Sequence, residues 1–437
     1  MIFRSLRALL PLAVLLLSAH LSSAQKEDRY DAKQRISRIR QLAKTDAHAI
    51  PTLEQYLSDP DVGIRIEAVK AITRIGTESS LSPLIKATKN NDPEVQIRAT
   101  DGLVNFYLPG YVPKGMLTGP VTRGLRQVKS LLSSRNDQAV GKDVAVRPDV
   151  AQALGEEIMH GSSIDARSNA ARAAGILRAQ SAGQALQQAV RSKDSELIFE
   201  ALVAMQKIGD PALGPGVSFL CRDLDDRVQM TALETIGVLR SLDSAPDVRA
   251  ALNGARNIKI RRAALEALAM LGIPGDRNIF RQYVSSSDVA LRVAALEGLG
   301  RIRDAGDGPA LEAAYNEGEA DWRIHLAAAF GLVNSGRVGT ADFDPLLYLV
   351  ENLDQKSHQD TAEAYLTELC RHEDVRKALF PIVAKLSPDQ KMALSRALSA
   401  SHSDDVVPTL TALSNDINPR VSLQAARDLK MVQARKL

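Results

Sequence analysis

Apolar residues recur along most of this chain at the spacing of one helical face. Counted from an acidic or amide residue, an aliphatic side chain stands three positions on, an alanine seven on and another apolar side chain eleven on. This spacing predicts an amphipathic α-helix of about four turns in each copy. The pattern starts at six regular origins: Asp61, Asp194, Asp225, Asn257, Asp288 and Asp321.

Both ends and the middle of each predicted helix carry a chemical marker. The Asp or Asn at the origin can accept hydrogen bonds from the free amides of the first turn. Fifteen positions on, four copies have glycine, which can take the left-handed conformation that ends a helix, while Arg240 and Arg303 occupy the other two. The small residue at the seventh position predicts a neighbouring helix packed closely at mid-length. It is alanine in all six copies: Ala68, Ala201, Ala232, Ala264, Ala295 and Ala328.

Shorter apolar segments lie between the marked helices, several with a proline near the start, as at Pro51, Pro83 and Pro345. Proline is tolerated in the first turn of a helix, so each unit is predicted to be a helical hairpin. We therefore expect an all-α fold, an α-α superhelix of about eleven hairpins after an N-terminal helix around Ile39. Less regular copies begin near Glu94, Asp165, Ser357, Pro388 and Asn418.

The stretch from Asp59 through Asp61, Arg65 and Ala68 to Gly76 resembles the HEAT repeat, particularly the short-period class named after the phycobilisome lyases. The likeness covers nearly all of the mature chain and implies a HEAT-type solenoid, a fold shared by scaffolds, lyase subunits and a few enzymes. The family's Asp and Arg typically form a ladder along the stack, which implies that the arginines here brace neighbouring repeats. Arginine stands at Arg65, Arg98, Arg167, Arg261 and Arg292, and is replaced by Ile198, Gln229 and His325.

The first 24 residues have the pattern of a secretory signal peptide. Arg4 and Arg7 precede an apolar run from Ala8 to Leu17, and small residues up to Ala24 offer a cleavage site. An uncleaved membrane anchor is the alternative, but the run falls short of the roughly 20 residues that span a bilayer. We expect residues 25–437 to be the mature solenoid, exported from a bacterial cell to the periplasm or beyond.

The net charge and the two cysteines bear on whether the protein binds nucleic acid and whether it contains a disulfide. The formal net charge of +3 gives no general case for nucleic acid as a partner. Nearly five repeats separate Cys221 from Cys370, so stacked helices about 8–10 Å apart would hold the two thiols far beyond disulfide reach. Both are expected to be buried core residues.

The repeat rhythm breaks in an irregular insert at residues 106–147. It opens with aromatic residues among Pro and Gly, continues with apolar residues at helical spacing, and has no acidic residue between Gly102 and Asn136. A basic amphipathic helix beside an aromatic loop could dock on anionic lipid, an acidic polymer or an acidic partner groove. Alternatively, the insert is a degenerate hairpin whose basic face is only solvated. The candidate partner-binding residues are Tyr107, Tyr111, Lys114, Arg123, Arg126, Lys129 and Arg135.

No catalytic, metal-binding or cofactor-binding pattern is visible in the chain. His372-Glu373 is the single His-Glu pair, whereas the iron-dependent hydroxylases of the superfamily need several, and Gly-x-Ser-x-Gly and phosphate loops are absent. We therefore predict no catalytic residue, no metal and no cofactor.

The leading hypothesis is an exported scaffold or adaptor that binds a protein partner in the cell envelope or periplasm. One alternative is a lyase-type enzyme subunit resembling the bilin lyases. Another is a binder of anionic envelope polymer or lipid that acts through the basic insert.

Overall fold

The computed structural model describes residues 31–113, 138–141, 143–317 and 321–434. The chain divides into two compact units, Met1–Asp210 and Pro211–Leu437, which are treated separately below. Both are built from helices joined by short turns, and the described residues contain no strand. In the part of the chain that the structure describes, no helix is long and apolar enough to cross a bilayer.

The first unit contains a helix over residues 31–42 and four hairpins. The second helices of hairpins 1 to 4 pack against one another in sequence, so they form one continuous layer. Hairpin 1 pairs Ile50–Gln55 with Val62–Ile75, hairpin 2 pairs Leu81–Ala87 with Pro93–Tyr107, hairpin 3 pairs Pro148–His160 with Ile164–Ile176, and hairpin 4 pairs Gly183–Ala189 with Ser195–Ile208.

The second unit contains seven hairpins among the described residues. Hairpin 5 pairs the 3-10 helix Pro211–Arg222 with Asp226–Val238, hairpin 6 pairs Ala245–Asn253 with Ile258–Leu271, hairpin 7 pairs Arg277–Arg281 with Val289–Ile302, hairpin 8 pairs Gly308–Asn316 with Trp322–Asn334, hairpin 9 pairs Pro345–Glu351 with Gln359–Leu369, hairpin 10 pairs Glu373–Leu379 with Pro388–Ser399, and hairpin 11 pairs Val407–Ser414 with Pro419–Ala434. The described residues thus form eleven hairpins, which confirms the predicted all-α, α-α superhelical class.

Short 3-10 helices lead into or continue many of these helices and absorb the change of direction between hairpins. They span Ala47–Ala49, Tyr56–Ser58, Glu78–Ser80, Gln180–Ala182, Leu242–Ser244, Pro274–Asp276, Ala305–Asp307, Asn352–Asp354, Val383–Lys385 and Asp404–Val406.

The three sequence markers of the repeat have the predicted structural roles. All six origin residues are N-caps whose side chains accept backbone amides, as where the Gly63 amide donates to Asp61 Oδ1 at 2.6 Å. All six central alanines are completely buried. Gly76, Gly209 and Gly272 end their helices in the left-handed conformation, and Arg303 takes the same conformation with φ 61°. The fourth glycine differs, because Ser335 is the C-cap of Trp322–Asn334 and Gly336 follows it with φ 100°.

The second hairpin starts two residues earlier than the sequence predicted. Asp92, not Glu94, is the N-cap, and its Oδ1 accepts the amides of Glu94 and Val95. Ala99 is then the central alanine and is completely buried. Arg98 consequently lies six residues after the cap rather than four, and it pairs with Glu94 in its own helix at 2.8 Å.

The predicted bracing of neighbouring repeats by arginines holds for Arg292, whereas Arg65 and Arg167 contact their own hairpins. Arg292 reaches Glu317 of the next hairpin at 2.7 Å. Arg65 donates to the carbonyl of Asp59 at 2.7 Å, and Arg167 donates to the carbonyl of Ile158 at 2.8 Å. These two arginines therefore satisfy carbonyl groups near the turns inside single hairpins.

Both cysteines are buried core residues without a disulfide, as expected. Burial raises the pKa of Cys221 and of Cys370 to about 12, because the apolar interior disfavours the thiolate. Neither thiol has the electropositive, accessible surroundings of a catalytic cysteine.

Candidate partner-binding groove

The ends of the basic insert are anchored to the first unit. The Tyr107 hydroxyl accepts the Arg147 amide at 3.0 Å, so the point where the chain leaves hairpin 2 is tied to the point where hairpin 3 begins. The Val140 amide donates to the carbonyl of Ile176 at 2.9 Å, and Arg178 donates back to the Val140 carbonyl at 3.0 Å. The chain therefore returns to the stack at a fixed place.

The structure places two of the seven residues predicted to bind a partner. Tyr107 is half-buried beside Phe106, and Tyr111 is 2% exposed, so the Tyr111 ring is a core contact rather than part of the described surface. The other five lie outside the described residues: Lys114, Arg123, Arg126, Lys129 and Arg135. Their part in binding stays a prediction.

A row of glutamates runs along the second helices of the second unit. Glu234, Glu266 and Glu297 each lie nine residues after the N-cap of hairpins 5, 6 and 7. Identical repeat positions in successive stacked helices face the same way, so the three carboxylates line one surface. In hairpin 8 the same position is Phe330, which is buried.

Hairpin 9 closes one side of this surface through side chains that reach back to earlier hairpins. Arg301 of hairpin 7 contacts Glu368 at 3.0 Å, and Arg240 of hairpin 5 contacts the same carboxylate at 3.2 Å. The Tyr365 hydroxyl donates to Glu297. These contacts join residues 67 to 128 positions apart. Together with the glutamate row they define the glutamate groove: Glu234, Arg240, Glu266, Glu297, Arg301, Phe330, Tyr365 and Glu368.

Aromatic and ionic contacts fix the floor of the glutamate groove. Phe330 and Tyr365 stack with ring centroids 4.6 Å apart, and the Arg301 guanidinium lies 4.9 Å from the Phe330 centroid. Arg301 also pairs with Glu297 at 3.0 Å. Although burial would raise it, the pKa of Glu368 is held below its usual value by Arg301. Both arginines of the groove are therefore engaged by carboxylates of the groove.

Glu266 is the carboxylate whose ionisation the groove disfavours. The pKa of Glu266 is raised to about 7, first by desolvation and then by the negative charges of Glu297 and Glu234. Glu266 itself is exposed. Among the described residues it has no ion pair, and the charge of Arg262, one turn earlier on the same helix, lowers its pKa less than desolvation, Glu297 and Glu234 raise it.

The second helices of the first unit carry a different polar row. The Asn169 amide donates to Asp101 at 3.0 Å, and the neighbouring Arg172 pairs with Glu200 at 2.5 Å. These residues are buried and join hairpins 2, 3 and 4. This row is an internal bracing network, because its polar side chains are buried and hydrogen-bonded to one another across hairpins.

Aromatic side chains also gather at hairpins 8 and 9 of the second unit. Trp322 stacks on His358 at 4.3 Å, and His325 stacks on Tyr348 at 4.0 Å with Tyr315 edge-on at 4.4 Å. These rings are half-buried and pack the turns of the two hairpins together. Trp322 therefore makes a packing contact.

The described part of the chain has no arrangement of side chains that could hold a metal ion. Groups of three or more His, Cys, Asp or Glu side chains placed to hold an ion are absent there. His372 is the N-cap residue of the short helix Glu373–Leu379.

Sequence reasoning missed the glutamate groove, although part of it was visible. The glutamate nine positions after the cap recurs in three consecutive copies of the template, which is a signal for a charged row. The contributions of Tyr365 and Glu368 were not visible, because they come from hairpin 9.

Comparisons with known proteins agree with this repeat structure. A family model described as HEAT repeats matches residues 17–104 and 245–331. No curated protein matches the chain in sequence. An engineered protein is 16% identical, covers 88% of this chain and 98% of its own, and has a TM-score of 0.37. The complex of CpcE and CpcF of phycocyanin lyase from Nostoc sp. PCC7120 is 16% identical, covers 66% and 94%, and has a TM-score of 0.35.

A further solved structure extends well beyond the length of this chain. Kap121p is 13% identical, with 88% of this chain and 45% of Kap121p covered at a TM-score of 0.37. At these scores none of the three structures carries a functional argument. The chain thus contains segments that match HEAT repeats, at residues 17–104 and 245–331, within a stack of helical hairpins.

Proposed function

We propose that the protein is an exported scaffold or adaptor that binds a protein partner, and that the glutamate groove receives a cationic segment of this partner. The observation that carries the proposal is Glu266, an unpaired carboxylate between Glu234 and Glu297 in successive hairpins. A lysine or arginine side chain beside Glu266 would supply the missing positive charge.

The charges of the groove favour a cation over an anion. Glu297 and Glu234 both raise the pKa of Glu266, and Arg262 opposes them only in part, so a cation beside Glu266 is favoured over an anion. Because Arg240 and Arg301 are already bound to Glu368, neither is available to an anionic ligand without loss of that contact.

The spacing of the row suggests the form of the bound segment. Stacked helices lie about 8–10 Å apart, and an extended peptide advances about 3.3 Å per residue. Cations three residues apart on an extended segment would therefore meet successive glutamates.

A synthetic peptide tests the groove directly. The probe is a fluorescent heptapeptide with lysine at its first, fourth and seventh positions and serine elsewhere, and binding to residues 25–437 is measured by fluorescence anisotropy. We expect it to bind more tightly than a peptide of the same composition with its three lysines adjacent. Glu266→Lys should weaken binding at least about tenfold, because it places a cation between the remaining carboxylates.

The matched control is Glu351→Lys, which makes the same charge change on an exposed residue outside the groove. It should alter the affinity by less than about twofold, as expected for a distant exposed charge. Equal losses in the two variants, or equal binding of the two peptides, would rule out the groove as a site with defined spacing.

The location of the protein is a separate part of the proposal and rests on residues 1–24. Expression of the full chain in a bacterium, followed by fractionation and N-terminal sequencing, tests it. We expect a periplasmic or secreted product that begins near Gln25. A cytoplasmic product that retains Met1 would contradict export.

The basic insert remains the second candidate surface, because its lysines and arginines lie in a stretch of sequence that has no acidic residue between Gly102 and Asn136. The test replaces Arg123, Arg126 and Lys129 by Glu together and measures binding to vesicles that contain anionic phospholipid. Loss of vesicle binding with the helical circular dichroism intact would support the insert. Unchanged vesicle binding would show that the basic side chains of the insert are only solvated and do not bind lipid.

A further inference from the structure

A cavity of about 650 Å³ lies in the first unit, where residues 141–148 meet the turn that follows the helix Ile164–Ile176. A volume of this order accommodates a small organic molecule. Most of the residues that line it are apolar, with small residues beside the larger aliphatic side chains of Val144, Val146 and Ile208. These walls would shield the hydrocarbon part of a ligand from water.

Three polar side chains line the cavity, and one of them is charged. Gln180 and Ser181 are exposed and neutral, whereas Arg178 is a partly exposed cation. None of the described residues in the lining is acidic. The lining therefore carries one positive charge and no negative charge.

Backbone carbonyls hold the guanidinium of Arg178 in place. Nε donates to the carbonyl of Val140 at 3.0 Å, and Nη1 donates to the carbonyl of Lys207. The third nitrogen, Nη2, makes no hydrogen bond within the described part of the chain, yet it is not one of the polar atoms that are buried without a partner. Nη2 therefore remains accessible as a donor to a ligand.

The positive charge of Arg178 lacks a counter-ion. Arg178 forms no ion pair with any described residue, whereas the neighbouring Arg147 pairs with Asp149. The carbonyls that hold Arg178 are neutral, so they fix the guanidinium without cancelling its charge. Burial lowers the pKa of Arg178, and no described carboxylate opposes this shift. A partly buried charge of this kind is costly, and a bound anion would offset the cost.

We propose that this cavity binds a carboxylate that carries a short aliphatic chain, with a carboxylate oxygen accepting a hydrogen bond from Arg178 Nη2 and the chain against the aliphatic walls. A single guanidinium balances the single charge of a carboxylate. A phosphate monoester fits less well, because it carries about two negative charges near neutral pH. The exposed side chains of Gln180 and Ser181 are further donors beside Arg178.

Isothermal titration calorimetry with n-hexanoate tests the site, using residues 25–437, which contain the whole described part of the chain. Hexan-1-ol is the neutral ligand of similar shape, and n-hexylamine is the cationic one. We expect n-hexanoate to bind at least about tenfold more tightly than hexan-1-ol, because only the carboxylate makes a charged hydrogen bond. The amine should bind more weakly than the alcohol, since it would place a second cation beside Arg178. Hexanoate affinity no higher than that of the alcohol would overturn the proposal.

Removal of the guanidinium locates the effect at Arg178. Arg178→Gln should lose at least about tenfold in hexanoate affinity, whereas its affinity for hexan-1-ol should change by less than about twofold. Arg38→Gln removes an exposed arginine of the first helix and is the control, so it should leave both affinities unchanged. Unchanged hexanoate affinity in Arg178→Gln would overturn the proposal.

A second pair of variants keeps the test decisive if Arg178→Gln does not fold. Val144 lines the cavity and Ala145 does not, although both are exposed on the same segment. Val144→Asp places a carboxylate in the cavity wall, so it should weaken hexanoate binding at least about tenfold. Ala145→Asp makes the same change of charge next to the cavity and should have less than half of this effect on the binding free energy. Equal losses in the two variants would contradict the site.

The carboxylate could belong to a free aliphatic acid or to the carboxyl terminus of a peptide that ends in an aliphatic residue. N-acetyl-alanyl-leucine separates these sources, because it carries a carboxylate and an aliphatic side chain on a peptide backbone. Tighter binding than n-hexanoate would assign the cavity to a peptide terminus. Weaker binding would assign it to a free acid, and both results support a carboxylate site.

Discussion

Single residues in this protein owe their properties to the repeat position that they occupy. Glu266 and Ala264 lie two residues apart on the same helix, but one faces the glutamate groove and the other the core. The central alanine could be recognised in the sequence because the packing constraint repeats in every copy. The raised pKa of Glu266 could not be recognised in the sequence, because it depends on the charges of Glu234 and Glu297 in two other hairpins.

Stability should depend on pH through Glu266. Its pKa is about 7 in the folded protein, against an ordinary value of 4.5. Between these values the folded state holds more protons than the unfolded state, so the free energy of unfolding falls as the pH rises. Glu266→Gln removes this titration. In urea unfolding, the variant should therefore lose less stability than the unaltered protein between pH 5 and pH 8. Identical losses would show that the groove does not perturb Glu266.

A larger side chain at a central alanine should destabilise the stack. Ala264 is completely buried, so Ala264→Leu should lower the free energy of unfolding by about 1–3 kcal/mol through overpacking. Ala250→Leu, on the exposed face of the same hairpin, is the control and should have little effect. Thermal or chemical unfolding measures both, and equal melting of Ala264→Leu and the unaltered protein would contradict the assignment.

At the scale of helices, close packing between hairpins depends on glycine as well as alanine. A Cβ atom added to Gly300 would lie 2.5 Å from Gly331 Cα on the second helix of hairpin 8. The two glycines therefore allow the backbones of Val289–Ile302 and Trp322–Asn334 to approach closely. The position recurs, since Gly175, Gly237 and Gly300 each lie twelve residues after an N-cap and an added Cβ would be crowded at each.

Gly300→Ala should consequently destabilise the protein although alanine is the better helix former. Alanine gains about 0.5–1 kcal/mol in helix propensity, whereas overpacking against a neighbouring backbone costs about 1–3 kcal/mol. Gly308→Ala is the control, since its added Cβ would meet no heavy atom within 4 Å. Urea denaturation should show a lower midpoint for Gly300→Ala only. A midpoint that rises in both variants would disprove the close approach.

The helix starts were predicted correctly at the six regular N-caps. In hairpin 2, the predicted start was wrong by two residues. The six Asp or Asn origins are N-caps as expected. In that hairpin, Asp92 and Glu94 both lie near the helix start, and the burial of Ala99 agrees with Asp92 as the cap. Counted from Asp92, the template also fits the sequence, with Val95, Ala99 and Leu103 three, seven and eleven residues on, so the local pattern contained the answer.

At the scale of the whole molecule, each unit combines local repeats with a few long-range contacts. In the second unit, Arg240 and Arg301 reach Glu368, and Tyr365 reaches Glu297, so hairpins 5, 7 and 9 share one groove. Repeat proteins are stabilised mainly by contacts between neighbours, so such bridges between distant hairpins set the geometry of a surface more than they hold the stack together.

The second unit should fold without the first. A fragment of residues 211–437 contains seven hairpins and all residues of the glutamate groove. We expect it to be helical by circular dichroism, to unfold cooperatively and to bind the spaced lysine peptide within about threefold of the longer chain, since the site is complete. A fragment that is folded but does not bind would place essential contacts in the first unit.

The sequence by itself determined the class of fold, the number of hairpins and the chemistry of their caps, because these depend on contacts within one repeat or with its neighbour. It also placed the insert at residues 106–147 as an interruption. The tertiary structure alone decided that Glu266 is an acid without an ion pair in a groove and that one carboxyl oxygen of Glu157 is buried without a hydrogen-bond partner among the described residues. Both properties arise from side chains of other hairpins, and no local pattern records which distant residues share a surface.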